Sequence, residues 1–333
     1  MKKILNKLYQ LQPLSEIESY NLFNLINTNK VNNVHLALIL ILIKMHGETI
    51  DEILGAVKSC IRYKKFFPDL SNYFFSDITG TGGDNKNNIN VSTISAIVAA
   101  TCGYKIVKHC NYAISGKFGS SNFLETLGIN VHVSSEISKK NLEKFNICFL
   151  LAPLYYNSFK HAAKVRKTLY TRTLFNIIGP LLNPSSPLLT VIGVYKKSLM
   201  IPMITILKKL HYQRAILIHS ANTDEITLHS KTYVTELKNK KIYNYQLFPK
   251  DFGLYSHAIK ETLNYSFHTK VKDSINVLKG KGSHIHEEII AVNVAILMKV
   301  FGNEDLKENT KYALKIIRSG QAYNLVNKLT SRN

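Results

Sequence analysis

The sequence has few of the features that mark secreted, membrane-spanning or metal-cluster proteins. Of its 333 residues only four are cysteines, and no two of them stand in a Cys-x-x-Cys spacing. The longest uninterrupted apolar run, Leu36 to Ile43, is far shorter than the roughly 20 residues needed to cross a bilayer. Since no stretch resembles a secretory signal, we expect reduced thiols, a cytoplasmic location and no membrane association. The four cysteines are Cys60, Cys102, Cys110 and Cys148.

Acidic residues are also scarce, with 22 Asp and Glu against 43 Lys and Arg, a formal net charge of +21. Such an excess alone is typical of proteins that bind nucleic acid or an anionic surface. The lysines are dispersed, however, and the densest cluster, Lys238 to Lys241, is short. There is no aromatic-interleaved RNA-binding motif or zinc finger. We therefore predict no specific nucleic-acid partner, although a non-enzymatic nucleic-acid-binding protein is an alternative that the charge favours.

A chain of this length is more than one compact core usually holds, so two domains are expected. The first, residues 1–70, is predicted to be helical. Ser15 with Glu18 and Thr49 with Glu52 have the spacing of capping boxes, and Gly47 can end the apolar helix that begins near Val34. No chemistry is visible in this region, so helical packing or a dimer face is its expected role.

From Tyr73 onward, short strands alternate with helices, which predicts a mainly parallel sheet covered by helices. The fold class is therefore α/β: a small helical N-terminal domain and a larger, mainly parallel α/β domain over 73–333. Strands are predicted over Tyr104 to Val107, Ile129 to Val133, Ile147 to Leu151, Leu189 to Tyr195 and Ala215 to His219. Helices are predicted near 119–128, 136–145, 157–169, 198–211, 284–301 and 306–319.

The stretch from Asp77 to Asn122 carries three polar loops that follow strand ends or open helices. The first places Gly80, Gly82 and Gly83 within four positions, the second opens a helix with hydroxyl side chains, and the third surrounds Ser115 to Ser121. Glycine turns and helix N-termini present backbone N–H groups to anions, so one site for a ligand with several phosphates is indicated. The glycines match neither the P-loop nor the dinucleotide-binding fingerprint.

These motifs together resemble the signature of the anthranilate phosphoribosyltransferase family. The matching residues are GTGGD at 80–84, NxST at 90–93, KHxN at 108–111, GSS at 119–121, the segment from His161 to Pro184, the pair Asp224-Glu225 after HSANT, and GKG at 280–282 with the following helix that contains Asn293. The resemblance covers nearly the whole chain. It implies Mg²⁺-dependent transfer of the phosphoribosyl group of 5-phosphoribosyl-1-diphosphate to anthranilate in tryptophan biosynthesis. It also implies a homodimer and a return of the segment near 165–185 to the helical domain.

The resemblance further implies which residues form the site. Anthranilate is expected to contact Gly80, Asn111 and Arg166, and Mg²⁺ is expected to bind Ser92, Asp224 and Glu225. No residue is assigned as a general base, because an aniline-type nitrogen already has a free lone pair. The ribosyl diphosphate is expected to contact Gly80, Gly83, Asp84, Asn88, Asn90, Val91, Ser92, Thr93, Lys108, His109, Cys110, Asn111, Tyr112, Ala113, Ile114, Ser115, Gly116 and Ser120.

Other interpretations remain open at this stage. Without the resemblance, Arg166 is interpreted as a surface charge, Asp224-Glu225 as an exposed loop and Ser92 as a helix N-cap. The chain also departs from the family pattern at the segment after Lys108-His109, where Cys110 replaces a glycine and Tyr112 an arginine. These changes predict retained but weakened turnover. The related pyrimidine nucleoside phosphorylases are a competing possibility, but their Lys-His-Ser-Thr-Gly-Gly loop is absent.

Overall fold

The computed structural model describes residues 1–82, 89–112, 119–258 and 267–331. They form a group of N-terminal helices followed by a seven-stranded sheet with helices on both faces. In these ranges no helix combines the length and the apolar character that crossing a membrane requires.

The N-terminal helices begin and end where their capping residues predict. Both predicted capping boxes form, at Ser15 with Glu18 and at Thr49 with Glu52. Gly47 follows the third helix with a φ of +85°, a conformation that favours glycine. The helices are α1 (Lys2–Tyr9), α2 (Glu16–Asn27), α3 (Asn33–His46) and α4 (Ile50–Arg62).

The sheet has the strand order β3-β2-β1-β4-β5-β6-β7. The pairs among the first five strands are parallel, and β6 and β7 add an antiparallel edge. The prediction of a mainly parallel α/β fold is confirmed. The strands are β1 (Phe75–Gly80), β2 (Lys105–Cys110), β3 (Ile147–Leu151), β4 (Leu189–Gly193), β5 (Arg214–Ser220), β6 (Thr232–Lys238) and β7 (Lys241–Leu247).

The remaining helices cover the sheet. The six helices that the sequence predicts after residue 118 all form, with ends within a few residues of the expected positions. They and their neighbours are α5 (Val91–Thr101), α6 (Ser120–Thr126), α7 (Ser135–Phe145), α8 (Ala152–Tyr155), α9 (Asn157–Leu169), α10 (Leu174–Ile178), α11 (Met200–Lys209), α12 (Phe267–Leu278), α13 (His284–Val300), α14 (Leu306–Arg318) and α15 (Gln321–Thr330), with short 3₁₀ turns at Gly179–Leu181, Lys197–Leu199 and Pro249–Phe252.

Two sequence predictions about strands are wrong. Ile129 to Val133 is not a strand; Ile129 and Val131 are buried, which explains the alternating pattern, but no strand among the described residues pairs with this segment. The strand predicted to end at Val107 continues to Cys110, because Lys108 to Cys110 stay in parallel register with β3. The lysine cluster from 238 to 241 is the turn between β6 and β7, where Asn239 and Lys240 both have positive φ.

Each face of the sheet packs against a separate hydrophobic core. Val107 and Ile192 face a core shared with the N-terminal helices, whereas Ile106 and Val191 face a core shared with α5 and α13. This burial on both faces explains the nearly continuous apolar strands. Beyond α9 the chain contacts the N-terminal helices again, since the rings of Phe175 and Phe23 lie 5.8 Å apart.

Candidate active site

The described parts of the predicted loops lie at the carboxyl ends of β1, β2, β4 and β5, the edge where open α/β sheets bind ligands. Strands β1 and β4 end in a register pair of glycines, Gly80 and Gly193. The loop after β5 carries Asp224 to these glycines. A Cβ atom added to Gly80 would lie 2.3 Å from Asp224 Oδ2, and one added to Gly193 would lie 1.6 Å from the Asp224 carbonyl oxygen. Only glycine at both strand ends therefore allows this approach.

The glycine turn also binds the acidic loop directly. The backbone N–H of Gly82, which has a φ of +63°, donates a hydrogen bond of 2.7 Å to Asp224 Oδ2. Burial raises the pKa of the Asp224 carboxyl, an effect that the Gly82 hydrogen bond opposes. The interpretation of Asp224-Glu225 as an exposed loop is wrong, because both residues are only partly exposed and the turn holds Asp224.

Helix α13 fixes the acidic loop from the other side. The amide side chain of Asn293 accepts a hydrogen bond from the Ile226 N–H at 3.2 Å and donates one to the Ile226 carbonyl at 3.3 Å. Asn293 is buried and is the one polar residue in the stretch from Ile289 to Met298. That isolated amide is the sequence signal for its positioning role.

Lys108 links β2 to the first turn of α5. Its side chain is 1% exposed. The ammonium group donates to the Ile78 carbonyl at 2.6 Å and to Ser92 Oγ at 3.2 Å. Burial lowers its pKa, while Asp77 opposes that shift most strongly and Asp224 and Glu225 add to the opposition. Lys108 therefore lies within β2, and hydrogen bonds fix its ammonium group. The predicted strand boundary suggests instead a mobile residue at the strand end.

The first turn of α5 offers polar groups toward this cation. Asn90 is the N-cap residue, but its side chain makes no capping hydrogen bond. The interpretation of Ser92 as the N-cap is wrong, since it lies two residues into the helix, after Val91. The hydroxyl of Thr93 is buried and has no hydrogen-bond partner among the described residues. A buried, unsatisfied donor at a helix N-terminus is what an absent anionic ligand would explain.

The third loop contacts the end of β2 through Asn111. Its backbone N–H donates to Ser120 Oγ at 3.3 Å, and its carbonyl accepts from the Ser121 N–H at 3.3 Å. The KHxN and GSS motifs are thus brought together. Tyr112 behaves differently, because its hydroxyl lies 2.5 Å from Glu125 Oε1 and 2.8 Å from His132 Nε2. The structure therefore directs the Tyr112 hydroxyl to Glu125 and His132 and not to Lys108.

Several predicted contacts lie outside the described residues, so the structure places none of them. They are Gly83, Asp84, Asn88, Ala113, Ile114, Ser115 and Gly116.

A buried polar group below the site was missed at the sequence level. Asn183 donates from Nδ2 to Asp77 Oδ2 at 2.8 Å and to the Val107 carbonyl at 2.7 Å. Asp77 also accepts from the His109 backbone N–H at 3.3 Å. Burial raises the pKa of Asp77 to about 6, with Lys108 as the main opposing influence. In the sequence Asn183 was matched only as part of the segment from His161 to Pro184 and was given no role, although its amide holds β1 and β2 in place.

His109 is buried against an aromatic cluster, with its ring 6.2 Å from that of Tyr156. Burial lowers the pKa of His109 to about 4. The imidazole is therefore neutral at physiological pH. Cys110 is also buried, and burial raises the pKa of its thiol to about 11, so it is not a nucleophile.

Arg166 is not a surface charge, since it is only 4% exposed on α9. Its Nη2 donates to Asn176 Oδ1 at 3.2 Å and its guanidinium lies 5.2 Å from the centre of the Phe175 ring. Its Nε has no hydrogen-bond partner among the described residues, and burial lowers its pKa to about 9. A buried guanidinium without a carboxylate partner is costly unless a ligand supplies one.

The residues predicted to bind a metal have the chemistry that Mg²⁺ requires. Ser92, Asp224 and Glu225 offer hydroxyl and carboxylate oxygens, the hard donors that Mg²⁺ prefers. Burial raises the pKa of Asp224, so its carboxylate form is disfavoured unless a compensating positive charge lies beside it. A divalent cation would provide that compensation.

Two family models match the chain. The α/β domain of a glycosyl transferase family matches residues 72–323, and the helical bundle domain of the same family matches residues 2–63.

The chain is also similar to named proteins along nearly its full length. It is 54% identical to anthranilate phosphoribosyltransferase of Buchnera aphidicola subsp. Schizaphis graminum, covering 97% of this chain and 96% of that protein. It is 53% identical to the protein of the same name from Buchnera aphidicola subsp. Melaphis rhois, covering 99% of each.

Solved structures show the same architecture. Anthranilate phosphoribosyltransferase from Thermus thermophilus superposes with a TM-score of 0.88 at 28% identity, over 98% of both chains. The Saccharomyces cerevisiae enzyme in complex with PRPP and Mg superposes with a TM-score of 0.86 at 27% identity, over 99% of this chain and 97% of that one. The yeast enzyme with 4-fluoroanthranilate gives a TM-score of 0.85 at 26% identity, with the same coverage.

Proposed function

This chain belongs to the anthranilate phosphoribosyltransferase family, and from that premise we propose that it transfers the phosphoribosyl group of 5-phosphoribosyl-1-diphosphate to anthranilate, in tryptophan biosynthesis. The amine nitrogen forms a bond to ribose C1 while the bond from C1 to the diphosphate oxygen breaks. Diphosphate leaves with the electron pair, and the nitrogen releases a proton. The observation that carries this proposal is the meeting of Gly82, Asp224, Lys108 and Ser92 at one sheet edge.

The phosphoryl groups are held by the glycine turn, the first turn of α5 and the loop at Asn111 and Ser120. The Thr93 hydroxyl is the strongest support, because it is buried and has no hydrogen-bond partner among the described residues. The Lys108 ammonium adds positive charge beside the first turn of α5. Catalysis here depends on positioning and on stabilising separated charges more than on a base. Burial lowers the pKa of His109 to about 4, so its imidazole is a weak proton acceptor, and we assign it no role as a general base.

Mg²⁺ would be held by Asp224, Glu225 and the Ser92 hydroxyl. When bound, it supplies positive charge to the leaving diphosphate. Gly82 and Asn293 position these ligands through the hydrogen bonds to Asp224 and Ile226. The bound magnesium in the yeast structure supports this assignment by analogy.

Anthranilate is oriented by its carboxylate. Arg166 provides a buried guanidinium that can form charge-assisted hydrogen bonds to it. A series of ring contacts joins this residue to the strand ends: Phe175 lies beside Phe159, which lies beside Tyr156 and then His109. Asn111 and the Gly80 backbone are proposed to line the amine side.

A steady-state assay tests the function directly. Purified protein with both substrates and Mg²⁺ is expected to consume anthranilate and release diphosphate in equal amounts, and Asp224→Asn is expected to abolish turnover. Asp51→Asn, an exposed residue on α4, is the matched control and is expected to leave the rate unchanged. Absence of Mg²⁺-dependent product with a folded protein would contradict the proposal, and phosphorolysis of thymidine would favour a nucleoside phosphorylase.

The assembly and location are proposed on other grounds. The chain is divided into a helical domain, 1–70 with the segment near 165–185, and an α/β domain, 73–333. The N-terminal helices expose Ile17, Val34 and Met45 by 65–76%, which supports a homodimer through this domain. All four cysteines are free, which supports a reducing cytoplasm. Sedimentation of the protein and of Val34→Asp tests the dimer, which the variant is expected to weaken.

A further inference from the structure

Three side chains of metal-ligating types lie together at the amino end of α13, apart from the site described above. His284 and Glu288 are one turn apart on this helix, and His257 reaches them from the segment after β7. The ligand atoms of these three side chains all lie within 4.8 Å of one another. No other group of three His, Cys, Asp or Glu side chains in the described ranges meets this condition.

One donor spacing in this group suits a tetrahedral ion, and the other is a direct hydrogen bond between His257 and Glu288 that a bound ion would replace. His257 Nε2 lies 2.6 Å from Glu288 Oε2, and His284 Nδ1 lies 3.3 Å from Glu288 Oε1. Bonds of about 2.0–2.2 Å to zinc place neighbouring donors in a tetrahedral site roughly 3.3–3.6 Å apart. Small rotations of His257 and Glu288 would therefore open the group around an ion. Two imidazoles and one carboxylate are also a donor set that Zn²⁺ sites use, with the fourth position left to water.

Charge and access agree with cation binding. The partial positive charge of a helix N-terminus opposes a cation, so a negative ligand is needed at this position. Glu288 supplies it, from a side chain that is only 7% exposed. His284 is 66% exposed and gives an ion a path from solvent.

We propose that His257, His284 and Glu288 bind a divalent cation of the zinc class at a site separate from the magnesium ligands. Imidazole nitrogens favour Zn²⁺ and similar ions, whereas Mg²⁺ takes oxygen ligands. The ion would join α13 to the segment in which Ser256 Oγ and the His257 N–H both donate to the Leu228 carbonyl at 3.1 Å. Because Asn293 on α13 already holds Ile226, the ion would fasten the Asp224 loop at a second point.

Equilibrium dialysis against Zn²⁺ with metal analysis tests this site. The full chain without a histidine tag is first stripped with a chelator, and then compared with His284→Ala, Glu288→Gln, Asp224→Asn and His35→Ala. One Zn²⁺ per chain is expected. Loss of a ligand in His284→Ala or Glu288→Gln should raise the dissociation constant by at least the roughly 10–100-fold that outer-shell changes cause. Asp224→Asn and the α3 control His35→Ala should bind like the unmodified protein.

Two further measurements distinguish a built site from loose association. Co²⁺ in the site is expected to give visible absorption of the tetrahedral type, which His284→Ala should lose. Zn²⁺ should raise the melting temperature of the unmodified protein but not that of His284→Ala. Equal zinc affinity in His284→Ala, loss of zinc binding only in Asp224→Asn, or no bound zinc at all would overturn the proposal.

Discussion

Arg166→Met is expected to weaken anthranilate binding while leaving the fold at least as stable. Arg166 is 4% exposed, and its guanidinium lacks a carboxylate partner among the described residues. A substrate carboxylate would supply that partner through charge-assisted hydrogen bonds worth about 1.5–3 kcal/mol. Their loss should raise the KM for anthranilate by roughly 10–150-fold. The KM for the ribosyl diphosphate should change little.

The same structure predicts the effect on stability. Burial lowers the pKa of Arg166 to about 9, so at pH 7 the side chain stays protonated and the folded state bears the cost of desolvating it. Methionine fills a similar volume without charge. The loss of the Asn176 hydrogen bond and the Phe175 contact offsets part of this gain. The free energy of unfolding is expected to stay equal or to rise by about 1 kcal/mol, a few degrees in melting temperature.

Steady-state kinetics with anthranilate and with aniline, which lacks the carboxylate, provide the assay. In the unmodified enzyme aniline should react far less efficiently, and Arg166→Met should remove most of that difference. Lys167→Met, an exposed neighbour on the same helix, controls for the loss of a positive charge. A marked drop in melting temperature with an unchanged KM for anthranilate would show that Arg166 has a structural role, and the reasoning would be refuted.

Other substitutions test the parts of the site that surround Asp224. Gly80→Ala would place a Cβ 2.3 Å from Asp224 Oδ2, so activity should fall steeply and the free energy of unfolding in urea should drop by roughly 1–3 kcal/mol. Gly179→Ala is the control, because a Cβ there meets nothing within 4 Å, and it should leave the free energy of unfolding unchanged. Asn183→Ala leaves the Val107 carbonyl and Asp77 without the donor they share, so the free energy of unfolding should fall by about 1–3 kcal/mol. An unchanged unfolding midpoint in urea would contradict a stabilising role for these two hydrogen bonds. Burial lowers the pKa of His109 to about 4, so between about pH 6.5 and 4 the unfolded chain binds more protons than the folded chain. The free energy of unfolding therefore falls as the pH drops through this range. His109→Gln should reduce that fall, measured by urea unfolding at about pH 7 and 5.

The sequence predicted most elements because local signals and burial agreed. The capping boxes at Ser15 and Thr49 marked helix starts correctly, and β3 was predicted over the observed residues. The end of β2 was misplaced because Lys108 and His109 are polar, yet within the strand Lys108 donates to the Ile78 carbonyl and the His109 ring packs beside Tyr156. The β6–β7 hairpin was missed because β7 is mostly exposed and lacks a buried apolar pattern.

The site was predicted in outline but not in its contacts. The motifs identified Gly80, Ser92, Lys108 and Asp224, and the structure brings them to one sheet edge. That Gly80 makes room for a carboxylate depends on where a loop more than 140 residues away returns, which no local pattern encodes. Burial of Arg166 is likewise a tertiary property, since its helix carries several exposed lysines in the same sequence window.

The central claim is that the glycine turn, the first turn of α5 and the Asp224 loop together hold the ribosyl diphosphate with Mg²⁺. Calorimetric titration of 5-phosphoribosyl-1-diphosphate into the protein, with and without Mg²⁺, tests it most directly. One ligand per chain is expected, bound more tightly with Mg²⁺, and Asp224→Asn should lose the Mg²⁺ effect. Equal affinity without Mg²⁺, or an unchanged Mg²⁺ effect in Asp224→Asn, would contradict the account.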